Sequence, residues 1–109
     1  KQWYQRRVHG MLNTDGSLFG EDMRGEVVIR DHVGAVFVSF MAFYGRGEVL
    51  QAEAQVMVTG LELCQQRRIH ISVVETNSLI LHHALLGTSS TPWKIEYLLG
   101  RCRKCWAIT

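Results

Sequence analysis

The chain has 109 residues, 47% of them hydrophobic and 20% charged, with 10 glycines and 1 proline. That composition suits one domain around one core, and it excludes a disordered tail, a collagen-like repeat and a disulfide-dense mini-protein. Lys and Arg number 12 against 10 Asp and Glu, a net charge of +2 that neither demands nor forbids a nucleic-acid partner; a basic patch has to come from clustering.

In chain order, residues 1–7 (KQWYQRR) are basic and aromatic but lead into no hydrophobic signal core, so they read as an arm before a domain at 8–109. Residues 8–15 read as a short strand that stops at Thr14-Asp15-Gly16-Ser17, because Asp-Gly-Ser is turn chemistry. A second strand follows at 26–31, a turn at His32-Val33-Gly34, and a third strand at 35–43, rich in aromatic and β-branched residues. Short connections make these an antiparallel meander.

The period then changes. Leu50, Ala54, Met57, Leu61 and Cys64 recur at intervals of four and three, the apolar stripe of an amphipathic helix. Glu53 falls roughly 60° from the middle of that stripe, on the margin of the buried face. Residues 69–75 form a fourth strand, apolar enough to be covered on both faces. Thr76-Asn77-Ser78 can cap a helix over 79–86, and Pro92 suits the first turn of another running to about residue 104. The order βββ-α-β-α-α gives an α/β (α+β) mixed sheet: three antiparallel strands plus a parallel fourth reached by a right-handed crossover, packed by helices.

No apolar run approaches the roughly 20 residues of a membrane helix. The three cysteines, Cys64, Cys102 and Cys105, leave a thiol unpaired in a monomer, which fits a reducing intracellular compartment, nucleus or cytoplasm. Cys102-x-x-Cys105 near a helix end lacks two further ligands at zinc spacing, since His82 and His83 are adjacent, and reads as chance. Trp3, Tyr4 and Trp93 read as packing residues, with base stacking the alternative.

Asp15 ends the first strand, Glu53 lies near the start of the long helix and Asn77 ends the fourth strand. If strands one and four are neighbours, the three converge where a hard cation would want carboxylate oxygens. Each also has a plain reading: a turn aspartate, a helix-surface glutamate, a cap asparagine. Arg101, Arg103 and Lys104 cluster near the C-terminal end, and Arg67-Arg68 end the long helix. Solvated helix ends account for both clusters, and phosphate contact is the functional alternative.

LNTDGS at 12–17, VIRDH at 28–32, AEA at 52–54 and VETNSL at 74–79, in that order and spacing, resemble the ribonuclease H type 1 superfamily. The likeness runs from about residue 8 to 104 and is strongest to the ribonuclease-H-like domains of plant retrotransposon reverse transcriptases. It implies the ribonuclease-H-like fold, RNA–DNA hybrid as partner, and cleavage of the RNA strand by two Mg²⁺ (or Mn²⁺) ions held by four carboxylates. The products it implies carry 3′-hydroxyl and 5′-phosphate ends. By resemblance Asp15 stands for the first carboxylate and Glu53 for the second, together the metal ligands, while Asn77 stands where the third is an aspartate. The fourth belongs to a C-terminal strand and helix expected to be missing; after Asn77 the one acidic residue is Glu96. Residues 19–25 stand in place of a glycine-rich run, a shortened or altered loop.

Losing one formal charge weakens Mg²⁺ binding, so the expected activity is weak or lost. Glu75, two residues before Asn77, is a possible substitute. The other expectation is a catalytically dead domain kept as a protein-interaction or passive nucleic-acid-binding module. Without a fifth strand, the fourth becomes an open edge that invites a protein partner.

Overall fold

Alternation of apolar and polar residues sorts three consecutive segments onto a pleated sheet, and a change of period starts the helix that covers it. The computed structural model describes residues 8–76, 78, 81, 97, 98 and 100–102. Among them β1 (Val8–Phe19), β2 (Asp22–Asp31) and β3 (Val36–Arg46) form an antiparallel meander. Helix α1 (Val49–Gln66) then crosses over, and β4 (Ile69–Thr76) lies parallel to β1, giving the order β3-β2-β1-β4. This is the expected mixed sheet. The arm at 1–7 lies outside the described residues, as do the expected later helices except Leu81, Tyr97, Leu98, Gly100, Arg101 and Cys102, all helical.

One face of the sheet carries the core. Leu12, Val27 and Ile29 are fully buried and share one core with Ala54, Met57, Leu61 and Cys64 of α1, four residues of the stripe read from the sequence; Leu50, the fifth, is partly buried against it, and Val56 and Val58 add to it. Each large aliphatic side chain sealed there contributes about 1.5–3 kcal/mol. Leu81, Leu98 and Cys102 belong to the same core; Cys102 is thus a packing residue, and Cys105 lies outside the described residues. At the start of α1 the Gln51 side chain turns back to accept from the Glu48 backbone N–H at 2.9 Å. After β4, Ser78 Oγ accepts from Leu81 N–H at 3.1 Å, so the cap predicted within Thr76-Asn77-Ser78 is made by Ser78. Asn77 itself lies outside the described residues.

Three expectations are corrected. The Thr14–Ser17 segment is not a turn: β1 runs through it to Phe19, and the chain reverses at Gly20-Glu21, where Gly20 supplies φ 64°. Asp-Gly is turn chemistry only when nothing pairs with it, and here Asp15 and Gly16 are held by Glu26 and Gly25 of β2. Residues 19–25 are accordingly strand on both sides of a two-residue hairpin, β2 starting at Asp22 rather than 26. The His32–Gly34 turn stands as expected, with Asp31 Oδ1 accepting from Val33 and Ala35 N–H.

The third correction concerns β4, which is not covered on both faces. Ile69 and Ile71 are buried, but Ser72, Val73 and Glu75 are exposed. Between Gly10 and Met11 the partner on β4 jumps from Ile71 to Val73, so Ser72 is an extra, bulged residue. The bulge reverses the alternation: beyond it Val74, not Val73, packs on the core, and Glu75 goes to the open face.

Candidate functional site

Consecutive residues of β1 point to opposite faces, and that alternation builds the site. Leu12 and Thr14 face α1 and are 0% and 5% exposed. Asn13 and Asp15 lie on the open face. Gly16 faces α1 again, and there the helix comes down onto the strand. A Cβ added to Gly16 would stand 2.4 Å from the Glu53 backbone nitrogen and 2.5 Å from its Cα. Glu53 is therefore a backbone neighbour of the residue next to Asp15, and its half-buried position is the stripe margin expected from the helical period.

Two polar atoms close to this seam are buried and have no hydrogen-bond partner: Glu53 Oε2 and Thr14 Oγ1. A buried carboxylate oxygen without a donor costs more than it returns unless something positive reaches it.

On the open face Asn13, Thr14, Asp15, Glu26, Val28 and Glu75 line a shallow cavity of about 160 Å³. Asp15 and Glu26 are direct cross-strand partners, a like-charge pairing that destabilises a sheet. Glu75 lies beside Asn13 on β4, and its Oε2 accepts from Asn13 Nδ2 at 2.7 Å. Three carboxylates and no basic side chain line the cavity, so it repels a phosphate backbone until a cation neutralises it.

The sequence-predicted residues divide accordingly. Glu53 is brought against Gly16, the chain neighbour of Asp15, while the Asp15 side chain lies on the open face. Asn77, Arg103 and Lys104 lie outside the described residues. Arg101 is engaged by Glu62 of α1. Arg67 and Arg68 are exposed where α1 ends, Arg68 in the left-handed region at φ 56°. Among the described residues no three His, Cys, Asp or Glu side chains gather closely enough to hold a metal ion. The one observation that fits a cation is the orphaned buried oxygen of Glu53; a single Mg²⁺ keeps several of its waters and needs few carboxylates, and two carboxylates alone do not fit two ions.

Sequence reasoning missed Gly16 as the seam and Glu26 as the neighbour of Asp15. Both follow once the hairpin turn is placed at Gly20-Glu21, since the register then sets residue 15 opposite 26.

A family model described as reverse transcriptase-like matches residues 13–106. No curated protein sequence matches the chain. Among solved structures, RNase H1 from the halophilic archaeon Halobacterium salinarum superposes with a TM-score of 0.83 at 18% identity, covering 91% of this chain and 77% of that one. LC11-RNase H1, solved in complex with an RNA/DNA hybrid, gives 0.80 at 20% identity, covering 91% and 77%. The RNase H domain of the foamy virus PFV gives 0.71 at 14% identity, covering 95% and 75%. At these identities the shared property is the fold, and it is the ribonuclease H fold.

Proposed function

The chain belongs to the reverse transcriptase-like family, and on that premise we propose that it is a ribonuclease-H-like domain that binds RNA–DNA hybrid and cleaves its RNA strand only weakly. The observation that carries this reading is the seam at Gly16, where Glu53, with an unpartnered buried carboxylate oxygen, meets the chain neighbour of Asp15.

Asp15 and Glu53 would hold one Mg²⁺ or Mn²⁺ ion. When bound, such an ion activates water and stabilises charge on phosphodiester oxygens. The chain's own contribution is electrostatic and positional. Asp15 and Glu26 set two negative charges side by side on the open face, a field that a cation relieves. Asn13 fixes the Glu75 carboxylate at 2.7 Å, which keeps it engaged one strand away from Asp15. Packing of α1 on β1 holds Glu53 at the margin, half out of water. Asn77 in place of a third carboxylate leaves the donor set short of charge, which is why cleavage is weak.

The test is cleavage of a labelled hybrid in Mg²⁺ and in Mn²⁺, with Asp15→Asn as the paired control, alongside hybrid binding in chelator. Salt-sensitive binding with slow, metal-dependent cleavage that disappears in the control is the expected result. Absence of binding by folded protein overturns the reading.

A second reading is favoured by the sparse donor set: with no gathering of three ligating side chains among the described residues, the domain binds without cutting. Binding that is indifferent to Mg²⁺, with no product in either metal, distinguishes it.

A further inference from the structure

Near the start of β1 two histidines meet on the open face of the sheet. His9 and His70 are direct partners in the parallel pairing of β1 with β4. Gly10 is buried after His9, and Ile69 and Ile71 are buried on either side of His70, so strand alternation turns both imidazoles outward. Their rings lie in edge contact, with centres 5.1 Å apart and planes at 73°. Among the described residues neither ring has a hydrogen-bond or ion-pair partner. Packing explains the pair poorly: an edge contact at the surface seals little apolar area, and two imidazoles that protonate together repel.

Two imidazoles on adjacent strands are a ready chelate, and their separation discriminates between metal geometries. Zinc holds an imidazole nitrogen at about 2.0–2.1 Å, which sets the metal roughly 3.2 Å from the ring centre, and a tetrahedral angle then spaces two such rings about 5.2 Å apart. A square-planar ion, with its ligands at a right angle, would bring the centres to about 4.5 Å. Turning an imidazole about its Cβ–Cγ bond leaves its centre nearly in place, so each ring can aim a nitrogen without moving the strands. The observed 5.1 Å is the tetrahedral spacing.

We propose that His9 and His70 together bind one Zn²⁺ ion, each through one ring nitrogen, with water at the two remaining positions. The site is separate from the candidate centre at Asp15 and Glu53. Asp15 stands six residues along β1 from His9, positions 15 and 9, or about 20 Å. Carboxylates there suit a hard ion, whereas imidazoles suit zinc. Two protein ligands are fewer than the three or four of a resident zinc, so the ion is exchangeable and the fold does not depend on it. It joins strands whose ligands are 61 positions apart in the sequence, 9 and 70, so it favours the folded chain over the unfolded one.

The test is calorimetric titration of the whole chain with Zn²⁺, alongside His9→Ala, His70→Phe and the double variant. The wild type should take up one ion and unfold at a higher denaturant concentration in its presence. His70→Phe keeps an aromatic ring against His9 but supplies no ligand, and it should weaken binding about tenfold or more, as should His9→Ala. The double variant should bind no more weakly than either single one, because one imidazole alone makes no chelate. His32→Ala and Asp15→Asn should leave the affinity unchanged. A nuclear magnetic resonance titration of the wild type, which needs no variant, should move the ring signals of His9 and His70 before those of His32, His82 and His83. Absence of saturable binding by the wild type overturns the proposal, as does binding that survives His70→Phe or ring shifts confined to the other histidines.

Discussion

Gly16 and Glu53 are in backbone contact: no side chain fits between the strand that carries Asp15 and the helix that carries Glu53, since a Cβ on Gly16 would lie 2.4 Å from the Glu53 nitrogen. This is what sets Glu53 against the chain neighbour of Asp15, although the two acidic residues stand 38 positions apart in the sequence, at 15 and 53. It also fixes the cost of disturbing it.

Gly16→Ala meets helix backbone, which cannot rotate away, so the helix has to lift. We expect a loss of about 3 kcal/mol in denaturant unfolding, at the upper end for overpacking, together with loss of Mn²⁺ binding. Gly25→Ala is the instructive comparison, because its Cβ meets the Val56 side chain at 2.4 Å instead. There the obstacle is a side chain whose Cβ itself stands in the way, so Val56→Gly opens room, and the double variant should recover part of the Gly25→Ala loss, a coupling the Gly16 site does not show.

Glu53→Gln and Asp15→Asn trade metal binding against stability. The first removes a buried carboxylate oxygen that has no donor, and the second relieves the opposition of Asp15 and Glu26. In chelator each variant should unfold at a higher denaturant concentration than the wild type, by roughly 0.5–1 kcal/mol. In Mn²⁺ the order reverses, because a ligand that binds the folded state stabilises the wild type alone. Electron paramagnetic resonance of Mn²⁺ reads the binding directly. Equal Mn²⁺ binding by all three proteins removes the assignment.

Cys64 gives a pH dependence with a definite sign. Burial pushes its thiol from 9.0 up to about 11. The unfolded chain therefore releases this proton first, and between pH 9 and 11 the folded state binds one proton more. The stability associated with that proton is complete below pH 9 and is lost as pH rises through about 11, by an order of 2–3 kcal/mol. The pH dependence of stability of the wild type and Cys64→Ala should be parallel below pH 9 and differ most in slope between pH 9 and about 11. At neutral pH Cys64 should resist alkylation until the protein unfolds.

Tyr44 acts in the same direction. Burial raises its pKa above 10.0, partly countered by its hydrogen bond to Thr59. Absorbance titration should find Tyr44 ionising later than a free tyrosine, and Tyr44→Phe should remove that late step.

Arg101 reports on the nucleic-acid reading. Its guanidinium is engaged by Glu62, an exposed pair that is worth below about 1 kcal/mol. Arg101→Gln should therefore leave stability nearly unchanged yet lower the slope of log affinity against log salt by about one. Glu62→Gln, which frees the same guanidinium, should tighten hybrid binding. Neither change in binding would occur if the pair serves packing alone.

Much of the fold was legible because it depends on local periodicity. The 3.6-residue stripe from Leu50 to Cys64 gave α1 and placed Glu53 on its margin, and the β-branched and aromatic runs gave β2, β3 and β4. The Asp15-Gly16 step was misread for a reason that is equally physical. A dipeptide that favours a turn in isolation stays extended when a neighbouring strand, here β2, holds it in register, and the glycine is used for helix contact instead of chain reversal. The exposed half of β4 was misread because the Ser72 bulge reverses which side chains face the core, and an inserted residue leaves no mark in an apolar run.

The amino-acid order alone thus determined the elements, their sequence and the candidates Asp15 and Glu53, because propensity and period act over a few residues. Only the tertiary structure decided which side chains share a surface. Register put Glu26 against Asp15, a single bulge turned Glu75 to the open face, and close helix packing brought Glu53 to the strand. Those are distances between residues far apart in the chain, and they are set by how whole elements pack.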